Sequence, residues 1–419
     1  MELLNNTLAA KYSERALSRC KILSEISEME GGILRQYLSK EHKACNLTVS
    51  DWMTEAGMTT WQDSVGNQWG RIVSANPNAK RLIIGSHLDT VPNAGAYDGI
   101  LGVLLAVELA ALVTELQIEL PFHLDVVGFC DEEGTRFATT LIGSKALAGE
   151  FSPDWLALTD VNGVSMEQAM TEFGLTPNDY SSSALKPEEL IAYWEAHIEQ
   201  GPVLESVDQA LGVVTAIAGA KRAIISFIGH SGHAGTTPMH LRKDSLAAAA
   251  EFIVSIEQLA KNSKNGEVAT VGQIEAKPGA TNVIPGKTLM SLDIRAQNAP
   301  DLDALLSDIR SSVEKIVEER NLAFDWQWTH QAGAVDCDSE IQQLFKSACV
   351  ANSENSPFLP SGAGHDAMAI AKVCPIGMLF LRSPKGISHH PSESVIDGDV
   401  TKALSVLYTA LIKQKNASL

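Results

Sequence analysis

The first half of the chain alternates short apolar runs with longer helical patterns. Residues 81–87 (RLIIGSH) and 122–130 (FHLDVVGFC) predict two buried strands. Residues 99–116 and 141–149 predict helices, and the first of these is apolar enough to be buried. Because strands and helices alternate, we predict an α/β fold. Its mixed sheet would be at least partly parallel and covered by helices on both faces.

The order of the elements changes near residue 212. The pattern then predicts strand, helix, two strands, helix and strand, at 220–229, 245–260, 267–276, 287–296, 301–319 and 323–330. This β-α-β-β-α-β order is that of a ferredoxin-like domain. A strand at 376–382 and a helix at 399–413 resume the earlier alternation. We therefore predict a discontinuous first domain at 1–212 and 331–419, with a second domain, 213–330, inserted into it.

The net charge narrows the classes of partner. The chain has 419 residues, with 51 acidic and 32 basic side chains and a net charge of −19. Nucleic acids and anionic membranes require a basic surface, so we exclude both as partners. An anionic small molecule would need specific arginine or lysine side chains at its site, because the net negative charge of the chain repels it.

Three features predict a soluble, cytoplasmic protein. The six cysteines are scattered without a CxxC pair, which is typical of reduced thiols in the cytosol. The first 20 residues have mixed charge and lack the apolar core of a signal peptide. The longest apolar stretch, 100–113, is too short for a membrane span and contains Glu108.

The candidate chemistry begins where the strand at 81–87 ends. His87 and Asp89 follow a His-x-Asp spacing, which places both side chains on one side of an extended chain. Asp98 comes in a glycine-rich turn just before a helix. Burying these groups is costly unless a cation compensates them, so the pattern favours a metal site. Asp89 would then orient the His87 imidazole through its second nitrogen.

Three consecutive carboxylates follow the next strand. Asp131, Glu132 and Glu133 would repel one another there without a cation. Two adjacent carboxylates also allow one to bind metal while the other acts as a general base. Four later segments place histidine beside small residues in polar loops, at 196–205, 229–239, 361–367 and 386–393. A single such histidine is more often structural, but their joint occurrence favours a shared site.

Several segments together carry a family resemblance. They are GSHLDTV with YDG, DEEGTRF, HIEQGPVLE, GHAGTTPM, NVIPGK with DIR, and SGAGHDA with GISHHPSE. In this order and spacing the chain resembles the carbamoyl-amino-acid hydrolase/allantoate amidohydrolase family, from about residue 80 to 395. That family belongs to the aminoacylase–carboxypeptidase superfamily of two-metal hydrolases. The resemblance therefore implies a two-metal catalytic domain and an inserted dimerisation domain.

The resemblance also implies a set of metal ligands. Asp98 would bridge two ions, with His87 and His197 on one ion and Glu133 and His389 on the other. The HHP sequence leaves His390 as an alternative to His389, and the family's I-S-H-x-P pattern favours His389. Imidazole and carboxylate ligands suit manganese or zinc, with cobalt and nickel as alternatives, so the sequence does not choose the metal.

Catalytic and substrate-binding roles follow from the same resemblance. Glu132 would be the general base, passing a proton from water to the leaving nitrogen. His233, lent by the partner in a homodimer, would stabilise the oxyanion. Arg295 would bind a substrate carboxylate with two hydrogen bonds, and a structural salt bridge is the alternative for it. The implied substrate-binding residues are Gln200, His233, Asn282, Arg295 and Gly364.

The substrate remains open within the family. Allantoate, N-carbamoyl-L-amino acids and N-carbamoyl-β-alanine all combine a ureido group with a carboxylate. The stretches 35–71 and 128–149 resemble the allantoate branch most, which implies purine catabolism. A dipeptidase of the superfamily is disfavoured by HIEQG and DEEGTRF. A catalytically inactive binding protein is disfavoured because Glu132 and every ligand are present.

Overall fold

The computed structural model describes residues 3–418, which form two compact units. Unit 1 contains the residues up to Thr215, Cys337–Leu359 and the residues from Gly364 onward. Unit 2 contains Ala216–Asp336 and Pro360–Ala363. The divisions after Thr215 and after Asp336 fall near the predicted limits of 212 and 330, but Pro360–Ala363, which the prediction put in the first domain, groups with unit 2. The predicted ends at residues 1 and 419 lie outside the described part of the chain.

The N-terminal part of the chain contributes six α-helices and six strands among the described residues. The helices are α1 (Asn6–Ser24), α2 (Lys40–Glu55), α3 (Ile100–Glu115), α4 (Ile142–Leu147), α5 (Met166–Phe173) and α6 (Val203–Ser206). The strands are β1 (Thr59–Gln62), β2 (Gln68–Ile72), β3 (Arg81–His87), β4 (His123–Phe129), β5 (Leu190–Ile198) and β6 (Leu211–Ile217). The predicted strands at 81–87 and 122–130 and the predicted helix at 99–116 are thus confirmed.

The remaining elements follow in chain order. Those of unit 2 are β7 (Gly219–Ile228), β8 (Gly232–His233), α7 (Ser245–Lys261), β9 (Val268–Thr270), β10 (Ile274–Lys277), β11 (Val283–Ile284), β12 (Lys287–Ala296), α8 (Ala299–Arg320), β13 (Ala323–Ala332) and β14 (Val335–Asp336). The chain then forms α9 (Ser339–Ala351), β15 (Phe358–Ser361), α10 (Ala367–Ile370), β16 (Ile376–Leu381) and α11 (Asp397–Ala417).

The main sheet of unit 1 is mixed, as predicted. Its strand order is β1-β2-β4-β3-β5-β16-β6. The central strands β4, β3, β5 and β16 pair in parallel, whereas β1, β2 and β6 join antiparallel at the two sides. Because parallel strands end at the same edge, the segments that follow β3, β4, β5 and β16 gather there. These segments contain the candidate ligands of unit 1.

Helix α3 lies at the centre of unit 1. Every residue from Ile100 to Val113 is buried, which is typical of a helix surrounded by protein on all sides. Its one buried carboxylate, Glu108, is paired with Arg15 and Arg19 of α1, and the Arg19 Nη1–Glu108 Oε1 distance is 2.8 Å. No helix in residues 3–418 combines the length and apolar character that a bilayer span requires.

The main sheet of unit 2 and its two helices follow the predicted β-α-β-β-α-β order, whereas the short strands β8 and β11 form a separate pair. The main sheet is antiparallel and has the strand order β10-β12-β7-β13, and β9 also pairs with β12. Helices α7 and α8 supply the apolar side chains that pack on this sheet. The single strand predicted at 267–276 is divided into β9 and β10. At the division, the amides of Gly272 and Gln273 donate to Ser291 Oγ instead of to a neighbouring backbone.

Candidate metal centre

Two groups of potential ligand atoms meet at Asp98. Ligand atoms of His87, Asp98 and His197 lie within 4.8 Å of one another, and so do those of Asp98, Glu133 and His389. Asp98 Oδ1 is 3.3 Å from His197 Nε2, and Asp98 Oδ2 is 3.0 Å from His389 Nε2. The structure therefore brings the five predicted ligands together, in two groups that share one carboxylate.

The two buried histidines present the same ring nitrogen to this cluster. His87 Nδ1 lies 3.0 Å from the carbonyl oxygen of Asp89, and His197 Nδ1 lies 2.8 Å from that of Ile198. A carbonyl oxygen can only accept, so Nδ1 of each ring carries the proton. The lone pair of Nε2 is then available to a metal ion. This arrangement fits a metal centre.

Gly99 determines how closely helix α3 approaches His87. It has a φ of 70°, and a Cβ atom at this position would lie 2.4 Å from His87 Nε2. Any other residue would be strained in the left-handed conformation and would also displace the imidazole. The glycine-rich turn thus fixes the position of the ring beside Asp98.

Asp89 supports the site in a way that the sequence does not predict. Its carboxylate was expected to bind the second nitrogen of His87, but its Oδ1 lies 3.7 Å from Nδ1, and the closer atom is the Asp89 carbonyl oxygen. The carboxylate instead accepts hydrogen bonds from the amides of Glu132 and Glu133, at 3.0 and 3.1 Å. Two backbone donors in the turn after β4 thus hold this carboxylate, and the backbone of Asp89 binds the imidazole.

Glu132 and Glu133 resist ionisation in the protein alone. The burial of Asp98 is instead outweighed by the hydrogen bond from His389 and the charges of the nearby histidines, which lower the pKa of Asp98. Burial, and then the charge of Glu133, raise the pKa of Glu132 well above its usual range. Burial raises the pKa of Glu133 to about 7. Burial lowers the pKa of His87, but nearby carboxylates, Glu132 first, outweigh it and hold that pKa well above the usual range. Such an excess of buried negative charge is what a divalent cation compensates.

Gln200 and the loop of His389 border the same carboxylate. Gln200 Nε2 lies 3.1 Å from both oxygens of Asp98, 3.0 Å from Ser388 Oγ and 3.2 Å from His389 Nε2. His390 has other partners, since its Nδ1 lies 2.6 Å from Ser392 Oγ. The structure therefore brings His389, and not His390, to Asp98.

Three residues around the cluster adopt a left-handed backbone conformation. Asp131, Gln200 and His389 have φ values of 55°, 56° and 54°. Residues other than glycine seldom adopt such values, and those that do are concentrated at functional sites. The turns that position Glu132, Glu133 and His389 thus contain unfavourable backbone conformations, which contacts with the surrounding residues have to stabilise.

The other predicted substrate-binding residues lie in both units. In unit 2, His233 pairs with Val283, and the neighbouring Ala234 donates its amide to the carbonyl oxygen of Asn282 at 2.8 Å. Both His233 and Asn282 are exposed. In unit 1, a Cβ atom at Gly364 would lie 4.0 Å from Glu132 Oε1, so Gly364 adjoins the predicted base.

Arg295 forms the salt bridge that the sequence left as an alternative. Its Nε and Nη2 lie 2.9 and 3.0 Å from the carboxylate oxygens of Asp293, and its Nη1 lies 2.6 Å from the carbonyl oxygen of Gly362. Binding of a substrate carboxylate by Arg295 stays a prediction.

Three residues near the cluster have no role in the sequence analysis. Ligand atoms of Glu195 and His365 lie within 4.8 Å of one of His197, and Glu195 accepts a hydrogen bond from Ser86 Oγ at 2.8 Å. Glu393 is bonded to the backbone of Asp98. The segments EAHI, GHDA and HHPSE contain these residues, but nothing local in the sequence marks their contacts.

Comparison with known proteins identifies the family. Residues 83–413 match the model described as peptidase family M20/M25/M40. The chain belongs to this family. The M20 relatives include allantoate deiminase 2 of Glycine max, which is 40% identical over 93% of this chain and 87% of its own length. They also include N-carbamoyl-L-amino acid amidohydrolase of Geobacillus stearothermophilus, which is 39% identical over 94% and 97% of the two chains.

A solved structure shows the same M20 fold. The hydantoinase/carbamoylase family amidase from Burkholderia multivorans superposes with a TM-score of 0.90 at 30% identity, over 96% of this chain and 97% of that one. Together with the relatives, this likeness confirms the family resemblance that the sequence motifs indicate.

Proposed function

We propose that this M20-family chain is a metal-dependent amidohydrolase that cleaves the carbamoyl C–N bond of a small ureido acid. The observation that carries the proposal is Asp98, which is shared by the two groups of potential ligands. The names of the relatives, allantoate deiminase and N-carbamoyl-L-amino acid amidohydrolase, support the class of substrate.

In this proposal two divalent ions, manganese or zinc with cobalt and nickel as alternatives, occupy the site of each subunit. His87 and His197 would hold one, Glu133 and His389 the other, and Asp98 both. The ions would supply Lewis acidity and a water of lowered pKa. The donor set fits this role because each buried histidine has its Nδ1 committed to a backbone carbonyl.

Glu132 is the proposed general base. Its backbone amide is held by the Asp89 carboxylate. A carboxylate oxygen of Glu132 lies within 4.8 Å of ligand atoms of His87 and Glu133, but Glu132 is in neither of the two groups that share Asp98. A base with a raised pKa is well matched to taking a proton from water and passing it to the leaving nitrogen. For a ureido acid and one water, the products are the free amine, ammonia and carbon dioxide.

Arg295 is the proposed partner of the substrate carboxylate. Three of its five N–H groups are bonded to Asp293 and Gly362, so one hydrogen on each terminal nitrogen is left for a ligand. Arg295 also lines a cavity of about 700 Å³ in unit 2. Gln200, His233, Asn282 and Gly364 are the other proposed substrate-binding residues, carried over from the motif resemblance.

Allantoate is the proposed substrate, with ureidoglycine, ammonia and carbon dioxide as products. N-carbamoyl-L-amino acids, or N-carbamoyl-β-alanine, are the alternative. We expect the metal-loaded protein to release ammonia from allantoate with a higher kcat/KM than from N-carbamoyl derivatives of glycine, methionine or β-alanine. A coupled ammonia assay on this panel measures the ratio. A preference for a carbamoyl amino acid would select the alternative, and no turnover of any ureido acid would contradict the proposed class.

The proposed assembly is a homodimer in which each chain lends His233 to the other's site, in a cytoplasmic protein. We expect His233→Ala and Glu132→Gln each to be nearly inactive. After subunit exchange, one site of each heterodimer would carry both lesions and the other neither, so a heterodimer should recover about half of the wild-type activity. Native mass spectrometry verifies the exchange. An inactive but fully exchanged mixture would show that His233 does not act across subunits.

A further inference from the structure

Glu393 connects the two loops that carry Asp98 and His389. Its Oε1 accepts hydrogen bonds from the backbone amides of Tyr97 and Asp98, at 3.0 and 3.1 Å. Its Oε2 accepts a hydrogen bond from Ser388 Oγ at 3.1 Å. One side chain is thus bonded to the backbone of the shared ligand and to the residue that precedes a second ligand.

These contacts are buried and closely packed. Glu393 is only 6% exposed. A Cβ atom at Gly95 would lie 2.2 Å from the carboxyl carbon of Glu393, so the turn before Asp98 packs directly on this carboxylate. Gly95 does not have a positive φ. The contact with Glu393, and not the backbone conformation, therefore excludes a side chain at position 95.

The hydrogen bonds around Ser388 have a defined direction. Gln200 Nε2 can only donate, so Ser388 Oγ accepts its hydrogen bond at 3.0 Å. The hydroxyl proton of Ser388 is then left for a carboxylate. Glu393 Oε2 lies 3.1 Å from Ser388 Oγ and Asp98 Oδ2 lies 3.5 Å from it, so the shorter hydrogen bond goes to Glu393. Glutamine at position 393 would have the same size, but its NH₂ group can only donate. That group would face either the two backbone amides or the Ser388 hydroxyl, which also donate.

We propose that Glu393 is a positioning residue of the metal centre. It holds the turn of Asp98 and the loop of His389 at the separation at which both side chains would reach the same ion. Its role is exerted through these two ligands and not on the substrate. The inference rests on the proposed metal-dependent function.

Metal affinity tests this role independently of turnover. Chelator-treated wild type and Glu393→Gln are titrated with Mn²⁺ and, separately, with Zn²⁺, and bound metal is measured by equilibrium dialysis with elemental analysis. We expect Glu393→Gln to bind metal roughly 10- to 100-fold more weakly and to regain most of kcat once metal is saturating. Gly95→Ala, which displaces the same carboxylate, should lose affinity in the same range.

A double-mutant cycle tests the path through Ser388. Ser388→Ala removes the Ser388–Glu393 hydrogen bond from its other end. Both substitutions break the same Ser388–Glu393 hydrogen bond, so their effects should not add. The double variant Glu393→Gln/Ser388→Ala should have about the same metal affinity as the single variant with the lower affinity. Fully additive losses would contradict the path through Ser388.

Asp338→Ala is the matched control in unit 1. The Asp338 carboxylate also accepts two backbone hydrogen bonds, from Glu340 and Ile341, but at the start of α9. Its loss should lower thermal stability and leave metal affinity unchanged. Wild-type metal affinity in both Glu393→Gln and Gly95→Ala, at any melting temperature, would overturn the inference. A wild-type chain that binds neither ion would instead overturn the proposed function, and this inference with it.

Discussion

Glu132→Gln is expected to keep its metal and to lose about 10²- to 10⁴-fold in kcat, the range that general acid–base catalysis contributes. The substitution preserves the size of the side chain and the amide that Asp89 binds, but an amide cannot take a proton from water. Metal content from elemental analysis and kcat at saturating substrate measure the two effects separately.

Glu133→Gln is the matched comparison one residue along the chain. Glu133 lies 3.4 Å from His389 Nε2 and its amide is also held by Asp89. We expect this variant to lose metal affinity first, and to lose activity as a consequence. Metal loss in Glu132→Gln, with metal retention in Glu133→Gln, would show that the two roles are interchanged.

Removal of metal is expected to abolish hydrolysis and to lower stability. Protein dialysed against a strong chelator should have no measurable ammonia release, and addition of manganese, zinc, cobalt or nickel should restore it. Metal binds the folded state in preference to the unfolded one, so a free concentration 100-fold above Kd should add about 2.7 kcal/mol to the free energy of unfolding. Denaturation midpoints with and without metal measure this difference.

The interpretation of the chelator experiment depends on its controls. Re-addition of metal after the chelator has been dialysed away distinguishes metal loss from irreversible unfolding. Magnesium serves as a comparison ion, since it prefers oxygen ligands and this site offers three imidazoles. Full activity in a sample that contains no metal by elemental analysis would contradict the proposed mechanism.

The pattern of apolar and polar residues predicts those helices and strands in which apolar side chains follow one another without interruption. The helix at 99–116 is recognisable because nearly every residue is apolar, and the strand at 81–87 because of its continuous apolar run Leu-Ile-Ile. Strand β5 was not predicted, although eight of its nine residues are buried. Glu195 and His197 interrupt its apolar run, because a strand that carries a potential ligand has to bury polar groups. Functional sites are where such inconsistencies between pattern and structure are expected.

The candidate site shows the same limit at the level of single contacts. The residue types and spacings indicate His87, Asp98 and their partners, but they do not show which atom meets which. The Asp89 carboxylate binds the amides of Glu132 and Glu133, 43 and 44 residues along the chain. Glu393 binds the Asp98 amide across 295 residues. Only the folded chain brings such donors and acceptors together.

The division of unit 1 by unit 2 has a consequence for biosynthesis. The ribosome delivers His87, Asp98, Glu133 and His197 first, then all of 216–336, and His389 only after that insertion. At typical elongation rates the interval between His197 and His389 is on the order of ten seconds or more. Unit 2, whose core comes almost entirely from one continuous segment, can fold on the emerging chain meanwhile. A nascent chain halted within the insertion would contain the whole His87–Asp98–His197 group. It would lack His389, the histidine of the second group.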